Sequence, residues 1–327
     1  MNRVITGLQP TNFFHIGNYF GAIDPMLQLQ SENDMMMFIV DYHAITVPQN
    51  PEELRKNILF AAATYLAAGI DPTKTILFQQ SRVLQHTELA WILTCIAKMG
   101  EMERMTQFKD KASGKLDLVS VGLFTYPILM AADILLYDVN VVPVGADQKQ
   151  HVELARDLAI RFNKMFGDTF VVPEPLIRRE GARIMGLDDP SKKMSKSAAS
   201  PKNYISLMDD EATIGKKIRG AVTDSGTEVR RGDARPAISN LLTLYSLVTE
   251  APIDEIEKVY HQKGYGDFKV GLANAVWMWL APLQEKIKQH LVDEANLIKV
   301  LEDGAEKARV RAEAKMKIVR QKIGVAL

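Results

Sequence analysis

The side chains best suited to chemistry stand in two short segments, far apart along the chain. The first, His15-Ile16-Gly17-Asn18, follows Gly7-Leu8-Gln9-Pro10-Thr11-Asn12, in which Pro10 and Asn12 interrupt regular structure. It therefore sits where a loop turns into a helix, and a helix start offers amide donors and a positive dipole end to an anion. Gly17 lets a ligand approach the backbone closely, while His15 and Asn18 can donate hydrogen bonds to phosphate or ribose. The second segment, Asp189 to Ser197, sets three lysines and three serines into a turn-rich stretch with little core pattern. Ammonium groups on such a loop suit a moving polyphosphate or a leaving pyrophosphate. Each segment also has a plain structural reading: a capped helix start with an incidental histidine, and a solvated loop.

Other chemistries are missing. There is no G-x-x-x-x-G-K-[ST] loop, no G-x-G-x-x-G after the first strand and no H-E-x-x-H. Cys95 is the single cysteine, so an internal disulfide and a C-x-x-C metal site are both excluded, as fits a reducing compartment. Forty basic residues balance forty acidic ones, which rules out a whole-molecule cationic field but not a local basic patch. The N-terminus has no apolar core of an export signal. The longest weakly apolar run, Ile58 to Ile70, is shorter than the ~18–20 residues that span a bilayer. A cytoplasmic protein is expected.

The two segments need a frame, and 327 residues allow roughly two domains. Arg3 to Thr6, Met36 to Asp41, Thr75 to Gln79 and Val139 to Val144 read as buried strands. Helices alternate with them: Ile16 to Gln30, a helix capped by Asn50 and ended by Gly69, Thr87 to Ile96, and one beginning near Gln148. This alternation predicts a parallel sheet with right-handed crossovers. Ligands bind outside the carboxyl ends of such strands, so the loops after Thr6, Asp41, Gln79 and Val144 should line one cleft. After about Lys202 the strand signal fades. Ile205 to Gly220, Ile238 to Thr249, Ile253 to His261, Val270 to Gln289 and Asn296 to Ile323 read as helices. On the last, Lys307, Arg311, Lys315 and Lys322 fall near one face, either a solvated face or a surface for phosphates.

Together, His15-Ile16-Gly17-Asn18 resembles the HIGH signature of class I aminoacyl-tRNA synthetases, and Lys193-Met194-Ser195-Lys196-Ser197 matches their KMSKS signature letter for letter. The resemblance narrows to the tryptophanyl-tRNA synthetases of the bacterial type through further segments along the chain. These are Thr6-Gly7-Leu8-Gln9-Pro10-Thr11, Asp41-Tyr42-His43-Ala44-Ile45-Thr46 and Glu103-Arg104-Met105-Thr106-Gln107-Phe108-Lys109. Met130-Ala131-Ala132-Asp133-Ile134-Leu135, Gly145-Ala146-Asp147-Gln148-Lys149-Gln150-His151 and Gly181-Ala182-Arg183-Ile184-Met185 are similar as well. Asn18 replaces the final His of HIGH, as is common in the tryptophan branch. Ala146 stands where relatives often carry a polar residue, which leaves that position a backbone contact.

The resemblance implies a Rossmann-type α/β catalytic domain over residues 1–202 and an α-helical, anticodon-binding region over 203–327. It implies ATP with Mg²⁺, L-tryptophan and tRNA(Trp) as substrates and partners, a homodimer, and no dedicated protein metal site. Catalysis would fall to His15, Asn18, Lys193, Ser195 and Lys196. ATP would meet Gln9, Pro10, Thr11, Gly17, Asn18, Gly145, Ala146, Asp147, Ile184 and the Lys193–Ser197 segment, including Met194 and Ser197, with Lys109 and Lys111 as further phosphate candidates. Asp133 would accept the indole N–H among walls of Met130, Val142 and Val144, as a pocket with one acceptor on an apolar lining requires. Tyr126 and Gln148 would hold the α-amino and carboxylate ends, and His43 would line the cleft. His86, His261 and His290 read as surface or packing residues. The alternatives are a tyrosine enzyme, whose phenol favours a second polar partner beside Asp133, and a non-catalytic paralogue, which would lack the signature groups.

Overall fold

The computed structural model describes residues 1–10, 14–106, 120–145, 148–177, 184–195, 198 and 200–326. Five parallel strands form its centre: β1 (Arg3–Leu8), β2 (Asp34–Ile39), β3 (Thr75–Gln79), β4 (Val141–Val144) and β5 (Glu174–Ile177). Their order is β3-β2-β1-β4-β5, with Arg3 opposite Asp34, Met35 opposite Thr75, Val4 opposite Val141 and Val141 opposite Glu174. The run Met35-Met36-Met37-Phe38-Ile39 is apolar throughout because a parallel sheet is covered on both faces. Its residues divide with period two: Met35, Met37 and Ile39 enter one apolar cluster, Met36 and Phe38 the other. The fold is the expected Rossmann-type arrangement, with β5 added. That strand escapes sequence pattern because it is four residues long and contains Pro175, which an edge position tolerates.

The predicted first helix is three pieces: α1 (Ile16–Asn18), a π-helical turn over Tyr19–Ile23, and α2 (Asp24–Leu29). Pro25 lies in the first turn of α2 and lacks the N–H for a regular bond to the preceding turn, a condition a π turn accommodates. Asp41 opens α3 (Asp41–Ala44) instead of closing β2. In α4 (Pro51–Ala68) the Asn50 side chain accepts from Glu52 N and Glu53 N at 2.9 and 3.1 Å, and Gly69 ends the helix at φ 110°. Then come α5 (Gln85–Thr94) and α6 (Met99–Glu103). A helix not anticipated as an element, α7 (Val121–Leu135), begins at a Ser120 cap and carries Pro127 inside it. It is the crossover before β4, and α8 (Lys149–Phe166) follows that strand.

The helical region contains α9 (Glu211–Arg219), α10 (Pro236–Thr249), α11 (Ile253–Val259) and α12 (Tyr265–Val292). The helix expected from Ile205 starts only at Glu211, where Asp210 caps it through Thr213 N at 2.8 Å. The final helix, α13 (Glu294–Lys322), packs chiefly on β3. A division at residue 202 assigns it to the helical region, yet Ala305, Ala308, Ala312, Met316 and Val319 lie in a sheet-side core with Ile5, Phe38 and Phe78. Gly304 is the contact point: a Cβ there would stand 1.8 Å from the Leu77 carbonyl oxygen. The helix thus covers the edge strand, which removes an aggregation-prone edge.

This packing corrects the reading of the terminal basic face. Arg311 pairs with Asp34 at 2.9 Å, and buried Lys315 reaches Thr169 O at 2.7 Å and Asp138 at 2.6 Å. Two of the four basic residues proposed for RNA are thereby structural clamps. No helix among the described residues is long and apolar enough to cross a membrane.

Candidate active site

Because every strand runs the same way, the carboxyl ends of β1 to β4 open on one edge. Gln9 and Pro10 follow β1, His43 lies in α3 beyond β2, Gln80 follows β3, and Gly145 and Gln148 follow β4. The chain reverses its direction of travel across the sheet between β1 and β4, the switch point at which open sheets of this type bind ligands. The ATP candidates Gln9, Pro10 and Gly145 flank that point.

The two signature segments touch. A Cβ built on Gly17 would lie 3.0 Å from the His15 ring and 3.6 Å from the Met194 Cβ. His15 is buried, and Asn18 Oδ1 accepts from His15 N at 3.1 Å. The amides of Ile16 and Asn18 do not serve as free anion donors, as the helix-start reading requires. Ile16 N donates to Ile205 O at 2.9 Å and Asn18 N to His15 O at 2.8 Å. Leu207 N returns to Phe14 O at 2.9 Å, so a short antiparallel bridge fixes this entry.

The lysine segment is anchored at its base. Met194 N donates to Ile184 O at 3.0 Å and Gly186 N to Lys192 O at 2.8 Å. Asn203, itself buried, accepts from Ser195 N at 2.9 Å and donates to Asp188. Asn240 of α10 grips Met185 from both sides, accepting from its N at 2.8 Å and donating to its O at 3.0 Å. The Met194 and Ile184 side chains are buried in the core, which leaves neither side chain open to a ligand. Lys193 is exposed. Sequence reading missed both asparagines, which bear no motif of their own. Thr11, Lys109, Lys111, Ala146, Asp147, Lys196 and Ser197 lie outside the described residues.

Asp133, Met130 and Tyr126 recur at helical spacing on α7, on one stripe. His43 joins two of them: its Nε2 lies 2.9 Å from Asp133 Oδ2, and its ring meets Tyr126 edge-on at 6.1 Å. Tyr126 in turn hydrogen-bonds His151 Nε2 at 2.7 Å. Met130, Val142 and Val144 belong to the same apolar cluster beneath the sheet edge. Asp133 is only 3% exposed, and it is not the solitary acceptor expected from sequence. Gln80 Nε2 donates to both its oxygens at 2.8 and 3.0 Å, and His86 Nδ1 lies 2.6 Å from Oδ1. Burial pushes this carboxyl up, but the imidazoles of His86 and His43 outweigh it and hold the pKa down at about 2.

The donors are themselves held. Gln80 Oε1 accepts from Tyr42 N at 3.2 Å, and Asp41 accepts from Gln79 Nε2 at 2.7 Å and Ser81 N at 3.0 Å, which fixes the turn carrying Gln80. Of the two readings of His86, packing holds and surface does not: it is fully buried, and it also has polar partners unseen in the sequence, Asp133 and Tyr137, whose OH lies 2.8 Å from its Nε2. A histidine inside α5 beside Leu89 and Leu93 carries no sequence sign of a carboxylate 47 positions away.

The geometry can be set beside known proteins. A family model for class I tRNA synthetases of tryptophan and tyrosine matches residues 1–281. The chain is 52% identical over 328 residues to the tryptophan–tRNA ligase of Caldanaerobacter subterraneus subsp. tengcongensis, covering 100% of this chain and 99% of that one. It belongs to the bacterial tryptophanyl-tRNA synthetases. Within this family, the Mycoplasma pneumoniae tryptophanyl-tRNA synthetase structure superposes with a TM-score of 0.90 at 35% identity, covering 100% and 98% of the two chains. The Campylobacter jejuni tryptophanyl-tRNA synthetase, solved with ADP and tryptophan, superposes at 0.86 with 42% identity, covering 98% and 99%. The likeness extends through α13, so the tryptophanyl-tRNA synthetase fold includes the helix that closes the β3 edge.

Proposed function

We infer that this chain activates L-tryptophan with ATP and transfers it to tRNA(Trp), with both reactions at the carboxyl edge of the sheet. The observation that carries the placement is Asp133: an ionised, buried acceptor on a helix face shared with Met130 and Tyr126, Met130 joining the apolar cluster that holds Val142 and Val144. An indole has one strong donor, its N–H, and an ionised acceptor makes the stronger bond to it. The polar groups around Asp133 donate to the carboxylate itself, so they keep it an acceptor rather than supplying the second partner a phenol wants.

In the first step the tryptophan carboxylate attacks the α-phosphorus, forming tryptophanyl-adenylate and releasing pyrophosphate. The nucleophile is already an anion, so the protein aligns it and stabilises the spreading charge. Tyr126 and Gln148 orient the amino acid's polar end, Gln9, Pro10 and Gly145 frame the adenosine side, and Lys193 with its neighbours meets the phosphates. In the second step a 2′-hydroxyl of the terminal adenosine attacks the activated carbonyl, loses its proton and forms the tryptophanyl ester as the acyl–phosphate bond breaks and AMP leaves. Among the described residues no three His, Cys, Asp or Glu side chains form a metal cluster. Mg²⁺ fits as an ion carried by the triphosphate and water, neutralising phosphate charge.

We further place the protein in the cytoplasm as a homodimer, with the helical region reaching the anticodon. Leu84 and Trp91 lie seven residues apart along and beside α5 and are 67% and 69% exposed, and Val121, Ile45 and Met99 are exposed as well. Such large apolar groups favour an interface between copies. The test of the main reading is ATP–pyrophosphate exchange with each standard amino acid: tryptophan alone should drive it rapidly. Preferential exchange with tyrosine overturns the reading.

A further inference from the structure

We propose that His86 and Tyr137 are positioning residues for the tryptophan site: they touch no ligand, but hold the Asp133 carboxylate at the angle from which it meets the substrate's ring N–H. This rests on Asp133 as the indole acceptor. Both residues lie behind the carboxylate, His86 fully buried and Tyr137 1% exposed. The His86 ring is nearly parallel to Phe38 and Phe78, with centroids 5.8 and 6.0 Å away, and Tyr137 lies at 5.4 Å. This aromatic packing gives His86 one place to stand.

The hydrogen-bonded chain starts at the carboxylate. An ionised carboxylate only accepts, so His86 Nδ1 carries the hydrogen donated to Oδ1 at 2.6 Å. Its other ring nitrogen, Nε2, shares a hydrogen bond of 2.8 Å with the Tyr137 hydroxyl, which holds the ring from behind. The chain matters because the terminal torsion of an aspartate is broad and two-fold, and no rotamer well fixes the carboxylate plane. His86 pins Oδ1, and Gln80 and His43 then orient Oδ2 at 3.0 and 2.9 Å. Without His86 the carboxylate keeps Gln80 and His43 but loses its shortest bond, 2.6 Å, so its plane shifts toward those two donors and the indole hydrogen bond loses alignment.

A bond made equally in ground and transition states changes KM and leaves kcat alone. The test uses the full chain with Tyr137→Phe, His86→Leu and His86→Asn, in ATP–pyrophosphate exchange. The ligands are tryptophan and its benzothienyl analogue, in which sulfur replaces the ring N–H. His86→Leu should raise KM for tryptophan about tenfold, the size of one charge-assisted hydrogen bond. Tyr137→Phe should raise it about threefold. In both variants kcat, KM for ATP and KM for the sulfur analogue should stay within about twofold. His86→Asn can return an N–H toward Oδ1 and should recover much of the His86→Leu loss. If the variants raise KM for both ligands alike, or for neither, the proposal is wrong. Tyr137→Phe keeps the ring packing and decides the matter should His86→Leu fail to fold. Asp133→Asn in the same assay separates the layers: if it too treats the ligands alike, the acceptor reading has failed. If it discriminates while the His86 and Tyr137 variants do not, only the positioning role falls.

Discussion

Replacing Gly304 by alanine inverts the sign expected from sequence. In the interior of a 29-residue helix, Gly→Ala should stabilise by about 1 kcal/mol through helix propensity. The added Cβ, however, would stand 1.8 Å from the Leu77 carbonyl oxygen, 2.7 Å from its carbon and 3.3 Å from its nitrogen. All three are backbone atoms of β3, so no side chain can rotate aside. Ordinary contact begins near 3.4 Å, and α13 would have to retreat locally by well over an ångström. That retreat loosens Leu301, Ala305 and Ala308, all buried on either side of the glycine. Overpacking typically costs about 1–3 kcal/mol, and a backbone-on-backbone clash belongs at the upper end. Subtracting the propensity gain leaves a net loss of about 2 kcal/mol. For a chain of this size that lowers Tm by about 3 °C. The assay is urea and thermal unfolding followed by circular dichroism, with Gly266→Ala as control. A Cβ at Gly266 in α12 meets nothing within 4 Å, so that variant should match or slightly exceed the parent. If Gly304→Ala melts at or above the parent, the seating of α13 on β3 is wrong.

Asn240→Ala leaves the Met185 N–H and C=O without their side-chain partner, and should slow exchange about tenfold in kcat while sparing KM for tryptophan; an unchanged kcat would separate the helical region from control of the lysine segment. Lys315→Met should destabilise by about 2 kcal/mol in urea unfolding, less than a fully buried pair because Asp138 is one-third exposed. Its tRNA affinity across a salt series should match the parent, whereas a shallower salt slope would return Lys315 to the RNA surface. The folded-state pKa of Asp133, about 2, lies below the ordinary 3.8, so its contribution is complete above about pH 4 and is lost as pH falls toward 2. That contribution is about 2 kcal/mol. Unfolding free energies at pH 6 and pH 3 should therefore differ less in Asp133→Asn than in the parent, and equal differences would contradict it.

The elements legible in the sequence are those whose cause is local. Asn50, Pro51 and Gly69 bound α4 because caps and a left-handed stop act within a few residues. The continuous apolar run from Met35 to Ile39 announces a strand buried on both faces. The short edge strand β5 and the Pro25-associated π turn were not legible, since both depend on neighbours that accept an irregular backbone. The two signature segments were visible as residue types, but their contact through Gly17 and Met194 is a product of the fold.

By itself, then, the sequence determined the parallel α/β frame, the edge of the sheet where the loops gather, and the residue types offered there. Tertiary structure alone decided the partners of buried polar groups. Asp133 meets His43, Gln80 and His86 across separations of 90, 53 and 47 residues, and no periodicity records such pairings. It also divided the basic terminal helix into clamps and exposed lysines, because Arg311 and Lys315 face Asp34 and Asp138 once α13 lies on the sheet. The physical reason is range. Propensity, capping and periodicity act along a few turns of chain, whereas desolvation obliges each buried charge or donor to find a partner wherever the fold brings one.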